Sequence, residues 1–233
     1  RVEGHWDSYI TDNESYFDIL KKGISSSITT KPLELKMDIY QPKNAGAQER
    51  PLLLVIHGGA FYIGDKSSPP IVEFCRYFAS LGYTTASINY RLGFIPNKSS
   101  VERTGYNAVQ DAHAAMRFLV ENKNKYQIDS SLIFVCGTSA GAITTLNLAF
   151  MQNDARPEST YSSLFSSDLG NIESSGNLLT ARFTIKAIGN MWGAVNDLNH
   201  LKSAPVAVVS FHGDKDRIVP YGYDYPFEIV SKN

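Results

Sequence analysis

The chain has 233 residues, of which 43% are hydrophobic and 19% charged, a balance typical of one globular domain with a substantial core. Its formal net charge of −1 provides no basic field for nucleic acid or an anionic membrane, so we expect neither as a partner. No apolar stretch reaches the roughly 18 residues that a membrane-spanning helix needs. Cys75 and Cys136 are too few for a disulfide framework and match no zinc-binding pattern, so we expect no metal.

The first half of the chain alternates between strand and helix patterns. Residues 1–32 are polar with little periodicity, and Leu33–Tyr40 then alternates apolar and polar residues as a strand does. The continuous apolar run Pro51–Ile56 is typical of a strand buried on both faces of a parallel sheet. Helical spacing over residues 71–81 predicts a helix, and Tyr83–Asn89 is the next candidate strand.

The second half continues this alternation. The spacing of small and apolar residues predicts a helix over residues 104–122, and further strands are expected at Leu132–Cys136, Thr184–Ile188 and Val206–Phe211. Residues 152–180 are rich in Ser, Asn, Gly and Asp, and we expect an inserted loop or cap at the mouth of a site. Strands that alternate with helices indicate one α/β domain over residues 1–233, with a mostly parallel sheet flanked by helices.

A Gly-x-Ser-x-Gly pattern is formed by Gly137-Thr138-Ser139-Ala140-Gly141, between a predicted strand and a helix-forming segment. A nucleophilic serine needs such a context, because a sharp strand-to-helix turn lifts its hydroxyl above the edge of the sheet. The glycines leave room for that turn. A glycine-rich turn without chemistry is the alternative. We predict that Ser139 is a nucleophile.

The second motif is His57-Gly58-Gly59-Ala60-Phe61, directly after a buried strand. Acyl transfer places negative charge on a carbonyl oxygen, which preorganised main-chain N–H groups stabilise. Small residues let the main chain approach that oxygen closely. We therefore predict an oxyanion hole made by Gly59 and Ala60 from this loop and by Ala140, the residue after the nucleophile. A simple hairpin turn is the alternative.

The third motif, His212 to Pro220, also follows an apolar strand and contains two carboxylates, Asp214 and Asp216. An acid that orients a catalytic imidazole follows the nucleophile in the chain when the order is Ser, Asp, His. Either carboxylate satisfies that order. A cation bound by His212 and the two aspartates is a further alternative, although the spacing of a calcium loop is absent.

These motifs, together with Ser87-Ile88-Asn89-Tyr90-Arg91, resemble the carboxylesterase and lipase group of α/β-hydrolases that has a His-Gly-Gly loop. The resemblance covers roughly residues 33–220. It implies the α/β-hydrolase fold and hydrolysis of carboxylic esters without a cofactor, with a small-molecule or polysaccharide-linked ester as the substrate. It also implies that Asp216, the fourth residue after the motif's histidine, is the catalytic acid, and that Asp214 forms the turn.

The chain departs from that family in its histidines. The family's general base follows the acid, but no histidine follows Asp216. His57 and His212 occupy positions that the family uses structurally, His5 and His200 have the sequence context of surface residues, and His113 that of a packing residue. We therefore expect the natural protein to continue into a C-terminal strand and helix that are lacking here. An active enzyme with an intact mass of 25.8 kDa would contradict this expectation.

Two further functions remain open at the level of sequence. A serine peptidase uses the same fold and nucleophile, and a non-catalytic interaction protein can retain a hydrolase scaffold. The absence of a histidine after Asp216 favours the second of these, whereas the two glycine motifs favour an enzyme. Because the sequence begins with Arg1 rather than Met, it is compatible with a removed export signal, and we expect an exported protein.

Overall fold

A seven-stranded β-sheet forms the centre of the molecule. The structure is a computed structural model that describes residues 2–6 (main chain only), 35–42, 48–164, 166–224 and 226–227. In the described residues the strands are β1 (Val2–Trp6), β2 (Leu35–Tyr40), β3 (Arg50–Ile56), β4 (Thr84–Ile88), β5 (Ile128–Thr138), β6 (Ile185–Met191) and β7 (Ala207–Phe211). Their order across the sheet is β1-β2-β4-β3-β5-β6-β7.

The five strands β4, β3, β5, β6 and β7 run parallel, whereas β1 and β2 are antiparallel to their neighbours. In this register Ile56 pairs with Gly137, and Gly137 pairs with Asn190. The carboxyl ends of β3, β5 and β6 therefore meet at one edge of the sheet. The segments that follow these strands are brought together there, which is where ligands bind in open parallel sheets. The predicted mostly parallel sheet is confirmed.

Helices cover both faces of the sheet. They are α1 (Pro69–Ser80), α2 (Lys98–Glu121), the short α3 (Lys123–Tyr126) and α4 (Ala140–Phe150). Side chains of β3 alternate between two apolar clusters: Leu52, Leu54 and Ile56 face α2 and α4, while Leu53 and Val55 face α1. Burial on both faces explains why β3 is a continuous apolar run rather than an alternating one.

Helix α2 shows why the element boundaries differ from the predicted ones. It begins at Lys98, six residues before the predicted start, because Asn97 caps it by accepting a hydrogen bond from the Ser100 N–H (2.9 Å). The first turn is polar and lacks the apolar spacing on which the prediction depended. Strands β5 and β6 are also longer than predicted, and β1 was not predicted at all. No helix in the described residues is long and apolar enough to cross a bilayer.

Residues 152–180 lie along α2. They contain two short 3₁₀ turns, Asn153–Ala155 and Glu158–Thr160, and no α-helix in the part that the structure describes. Three side chains spaced seven residues apart on α2 hydrogen-bond to main-chain carbonyls of this segment, namely Arg103, Gln110 and Arg117. The predicted insertion is thus attached along the length of α2. That it covers the mouth of the site stays a prediction.

Strand β7 forms one edge of the described sheet, and all five of its residues are exposed. Val208, Val209 and Phe211 are large apolar side chains among them. An exposed apolar edge strand is unusual in a globular domain, because its unpaired N–H and C=O groups can pair with another strand.

Candidate active site

Ser139 lies at a sharp turn between a strand and a helix. Strand β5 ends at Thr138 and α4 begins at Ala140, and Ser139 between them has φ 52° and ψ −119°. Residues other than glycine rarely adopt this positive φ, because it strains the backbone. Such strain persists only where the surrounding structure imposes it. Here the Ser139 N–H donates to the Met191 carbonyl of β6, and its own carbonyl accepts from the Ile143 N–H, both at 2.9 Å. The residue is half-buried, so it is accessible from solvent.

The two glycines of the motif are required by close packing. A Cβ atom at Gly137 would lie 2.3 Å from the carbonyl carbon and oxygen of Gly141. A Cβ atom at Gly141 would lie 2.1 Å from the Ile56 carbonyl oxygen and 2.5 Å from that of His57. Both contacts are with main-chain atoms, which have no flexible end to move aside. The start of α4 therefore packs so closely against β5 and β3 that positions 137 and 141 have no room for a Cβ atom.

The loop after β3 packs directly against Ser139. A Cβ atom at Gly58 would lie 2.9 Å from the Thr138 carbonyl oxygen and 3.3 Å from the Ser139 Cβ. The first two sequence motifs, separated by about 80 residues in the chain, are thus in van der Waals contact. This is the juxtaposition that an oxyanion loop needs, because its N–H groups must reach an oxygen attached to the atom that the serine attacks.

The main chain of this loop has an unusual conformation. Gly59, Ala60 and Phe61 have consecutive positive φ values of 118°, 53° and 60°. The Gly59 carbonyl accepts from the N–H groups of Tyr62 and Ile63, which closes a tight turn. Within the described residues, the N–H groups of Gly59 and Ala60 have no acceptor. Ala140 is the first residue of α4, so its N–H has no acceptor in the helix either. That these three N–H groups form an oxyanion hole stays a prediction.

Asp216 lies in the loop after β7, at the same edge of the sheet. Its Oδ1 accepts hydrogen bonds from the N–H groups of Ile218 (2.8 Å) and Val219 (3.0 Å). The Val219 hydrogen bond is the main cause that lowers the pKa of Asp216, although partial burial opposes it. Its Oδ2 lies 3.6 Å from the His212 Nε2. Asp214 is exposed in a turn, and among the described residues no main-chain N–H donates to its carboxylate.

The lowered pKa of Asp216 predicts a pH effect on stability. A carboxylate with a depressed pKa in the folded state stabilises the protein above the unfolded-state pKa, and this contribution is lost as pH falls through the folded value. The Asp216→Asn variant should therefore lose less stability than the parent below pH 3.8, the ordinary value for this group. Thermal unfolding between pH 6 and pH 2.5 measures the difference, with Asp214→Asn as the exposed control. Parallel profiles for the parent and Asp216→Asn would contradict the assignment.

Two histidines of the described chain are buried and engaged in packing. The His57 ring stacks on Tyr90 with centroids 4.4 Å apart, and its Nδ1 contacts the Gly58 carbonyl. Burial lowers the pKa of His57. His113 packs against Phe183, and burial, with a smaller contribution from Arg117, lowers its pKa to about 3. Both are therefore neutral near pH 7. His113 is the packing residue that its sequence context predicted.

The remaining histidines lie elsewhere. The His212 Nε2 donates to the Val219 carbonyl (2.7 Å), so this ring holds the acid loop together. His200, for which a surface position was predicted, is half-buried beside Asp197 in the 3₁₀ turn Leu198–Lys202. The side chain of His5 lies outside the described part of the structure. No histidine side chain in the described part hydrogen-bonds to the Ser139 hydroxyl.

In the described part of the chain the cysteines and carboxylates are too far apart to form a metal centre. Among the residues that the structure describes, no group of three or more His, Cys, Asp and Glu side chains is placed to hold a metal ion. Cys75 and Cys136 are free and buried. Burial raises the pKa of Cys75 to about 12 and that of Cys136 still further, so both thiols stay protonated. They act as small apolar residues between α1 and the sheet.

Sequence reasoning missed several residues that shape the site. Met191 holds the turn at Ser139 through its main-chain carbonyl. Every residue type has such a carbonyl, so the sequence does not indicate this interaction. Asn89 and Tyr90 hydrogen-bond to Lys66 and His57, at the two ends of the loop that contains Gly59. They belong to the Ser87–Arg91 segment that carried the family resemblance, but their residue types do not indicate which main-chain atoms they contact.

Two solved structures that resemble this chain are named esterases. The chain superposes on the apo form of esterase 2 from Thermogutta terrifontis with a TM-score of 0.56 and 18% identity, covering 83% of this chain and 72% of that one. For a bacterial heroin esterase the TM-score is 0.51 at 22% identity, with 84% of this chain and 45% of that one covered. These likenesses establish the α/β-hydrolase fold.

Curated relatives share part of the sequence. Gut esterase 1 of Caenorhabditis elegans is 33% identical over 116 residues, which are 49% of this chain and 20% of that protein. Para-nitrobenzyl esterase of Bacillus subtilis is 29% identical over 136 residues, or 55% of this chain and 27% of that protein. The chain thus spans only a fifth to about a quarter of the length of these relatives.

A family model named BD-FAE matches residues 37–204, a span that contains both the Gly58 loop and Ser139. Because this match takes in well over half of the 233 residues, the chain belongs to the BD-FAE family.

Proposed function

We propose that the protein is a serine hydrolase that cleaves carboxylic esters through an acyl-enzyme intermediate, with Ser139 as the nucleophile. One observation carries the proposal: a strained, accessible serine at a strand-to-helix turn lies against a loop in which the N–H groups of Gly59 and Ala60 have no acceptor among the described residues. Strain at a serine is rare unless function requires it. Unpaired N–H groups beside it are what a developing oxyanion needs.

The reaction begins with attack of the Ser139 Oγ on the ester carbonyl carbon. A bond forms between these atoms while the carbonyl π electrons move to the oxygen, which becomes an oxyanion. The N–H groups of Gly59, Ala60 and Ala140 donate to that oxyanion, and the N-terminus of α4 adds a partial positive charge. Collapse of this intermediate breaks the bond to the alcohol and leaves an acyl group on Ser139. Water then attacks the acyl carbon and releases the acid.

Asp216 is the acid that orients the general base in this proposal. Its Oδ1 is occupied by two main-chain N–H groups, so Oδ2 is the oxygen that remains to accept from an imidazole. That imidazole takes the Ser139 proton and passes it to the leaving alkoxide. The described histidines are engaged elsewhere, in packing or in the acid loop, and the base is not assigned to any of them.

The names of the relatives support an ester as the substrate. Both curated relatives and both solved structures carry the name esterase. The match to the BD-FAE family includes the nucleophile and the oxyanion loop but ends at residue 204, before Asp216. The assignment of the nucleophile therefore has more support than that of the acid. A small-molecule ester is the simplest substrate for the proposal.

A second function is favoured by one observation. No histidine side chain of the described structure reaches the Ser139 hydroxyl, which suits a non-catalytic protein that retains a hydrolase scaffold. Such a protein would keep the fold without turnover. The strained backbone at Ser139 favours the enzyme. A non-catalytic scaffold has no need of this strain, and a single substitution at position 139 would relieve it.

Ester hydrolysis separates these functions. We expect the protein to hydrolyse p-nitrophenyl acetate or butyrate and to leave a matched peptide p-nitroanilide uncut. Ser139→Ala in the same preparation is the control for hydrolysis that does not involve the site. Cleavage of the anilide at a comparable kcat/KM would identify a peptidase instead. A folded protein without turnover of either substrate would favour the scaffold.

A further inference from the structure

The segment after β4 contacts the loop 57–66 at its beginning, middle and end. The Tyr90 hydroxyl donates to the His57 carbonyl (2.9 Å), and the Gly93 N–H donates to the Phe61 carbonyl (2.8 Å). At the far end of the loop the Asn89 Oδ1 accepts from the Lys66 N–H (2.7 Å). These contacts come from residues 89–93, which immediately follow one strand and reach across to the residues that follow its neighbour.

Tyr90 is buried and Asn89 is half-buried, and both side chains are held by hydrogen bonds. Tyr90 is 3% exposed, and its ring stacks on His57 at an interplanar angle of 21°. Burial raises its pKa, so the hydroxyl stays protonated and able to donate. The Asn89 amide uses both of its ends, because its Nδ2 also donates to the Asp65 Oδ2 (3.0 Å). Rotation of that amide would break both hydrogen bonds.

The loop needs such support because its own conformation is unfavourable. Ala60 and Phe61 both have positive φ values, and each strained residue of this kind costs on the order of 1 kcal/mol or more. Contacts at both ends of the segment hold the strained residues between them. The end at Lys66 is further fixed by a buried ion pair, in which the Lys66 Nζ lies 2.8 Å from the Asp38 Oδ1 on β2. The loop is therefore contacted both by Asp38 on β2 and by the segment that follows β4.

We propose that Asn89 and Tyr90 are positioning residues that hold the N–H groups of Gly59 and Ala60 where the oxyanion forms. This inference rests on the proposed function, because it concerns the same site. Neither side chain has to touch the substrate. The Tyr90 hydroxyl acts through the His57 carbonyl, one residue before Gly58, which packs on Ser139. A shift of the loop at this point changes the distance between the donors and the reacting carbonyl.

Tyr90→Phe tests the inference because the chain contains a matched control. The Tyr106 hydroxyl also donates to a main-chain carbonyl, that of Gly170, at the same length of 2.9 Å, and Tyr106 is 2% exposed. Its partner lies in the segment along α2 instead of the oxyanion loop. Tyr90→Phe and Tyr106→Phe therefore remove hydrogen bonds of the same type and length, the first buried and the second partly buried, while each ring is retained.

We expect Tyr90→Phe to lower kcat for a p-nitrophenyl ester by about tenfold with KM changed less than about twofold, because a displaced oxyanion donor weakens transition-state binding most. Tyr106→Phe should leave kcat within about twofold of the parent. Equal kcat values for the two variants, or a loss in Tyr90→Phe that lies entirely in KM, would overturn the inference.

A second readout does not depend on turnover. Hydrogen exchange of the amides in residues 58–64 should be faster in Tyr90→Phe than in the parent, and unchanged in Tyr106→Phe. Unchanged exchange in Tyr90→Phe would overturn the inference. If the parent protein hydrolyses no ester, the proposed function fails, and the exchange result alone still decides whether Tyr90 holds the loop.

Discussion

Ser139→Ala is expected to lower kcat for ester hydrolysis by on the order of 10⁴-fold or more, because removal of the nucleophile removes the covalent route altogether. Hydrogen bonds from the Gly59 loop would leave a small residual rate. Alanine keeps the Cβ atom and the backbone strain at this position, so the folded structure should not change. Steady-state kinetics on a p-nitrophenyl ester, with urea unfolding as the control for folding, measures both effects.

Ser139→Gly extends this test to the strain itself. Glycine adopts a φ of 52° without steric cost, so this variant should be more stable than Ser139→Ala by about 1 kcal/mol, although it is equally inactive. The comparison between the two inactive variants separates loss of the hydroxyl from relief of strain. Turnover close to that of the parent in either variant would exclude Ser139 as the nucleophile. A Ser139→Gly variant less stable than Ser139→Ala would show that the turn is not strained.

Gly141→Ala should destabilise the protein by about 3 kcal/mol or more, since overpacking against atoms that cannot move is among the most damaging core changes. The added Cβ would lie 2.1 Å from the Ile56 carbonyl oxygen, so α4 would have to move away from β3. That movement would carry Ser139 away from Gly58. We therefore expect any Gly141→Ala protein that folds to lose ester hydrolysis as well. Urea unfolding gives the stability change.

Gly105→Ala is the matched control for Gly141→Ala. Gly105 also lies in a helix, but a Cβ atom there would contact the Phe61 ring at 3.8 Å, an ordinary van der Waals distance. Alanine is the better helix former, so this variant should gain about 0.5–1 kcal/mol of stability. Equal effects of the two substitutions would mean that the close approach of α4 to β3 is not required.

The parallel core of the fold could be predicted because its sequence signal is local. Leu52 to Ile56 are apolar without interruption, and the structure places alternate residues of this run under opposite layers of helices. Strand β1 gave no such signal. Its residues Val2–Trp6 pair with β2 at an edge of the sheet through main-chain hydrogen bonds, which depend little on side-chain type. Edge pairing of this kind is decided by the rest of the sheet.

In the candidate site, too, some residues could be predicted from the sequence and others could not. Gly137, Ser139 and Gly141 could be predicted, since a turn without room for side chains limits the residue types that fit. The support from Tyr90 could not, because its hydroxyl bonds to a carbonyl 33 residues away and any residue at position 57 would offer the same acceptor. The roles predicted for Asp216 and the oxyanion residues stay predictions, as does the C-terminal continuation.

Covalent trapping tests the central claim most directly. A fluorophosphonate reacts with a serine only where the hydroxyl is activated and the oxyanion that forms is stabilised. After digestion and mass spectrometry, the peptide that contains Ser139 should carry one phosphonyl group, and the Ser139→Ala protein should carry none. A label on another residue, or labelling of the folded Ser139→Ala variant to the same extent, would contradict the assignment of this serine and the mechanism built on it.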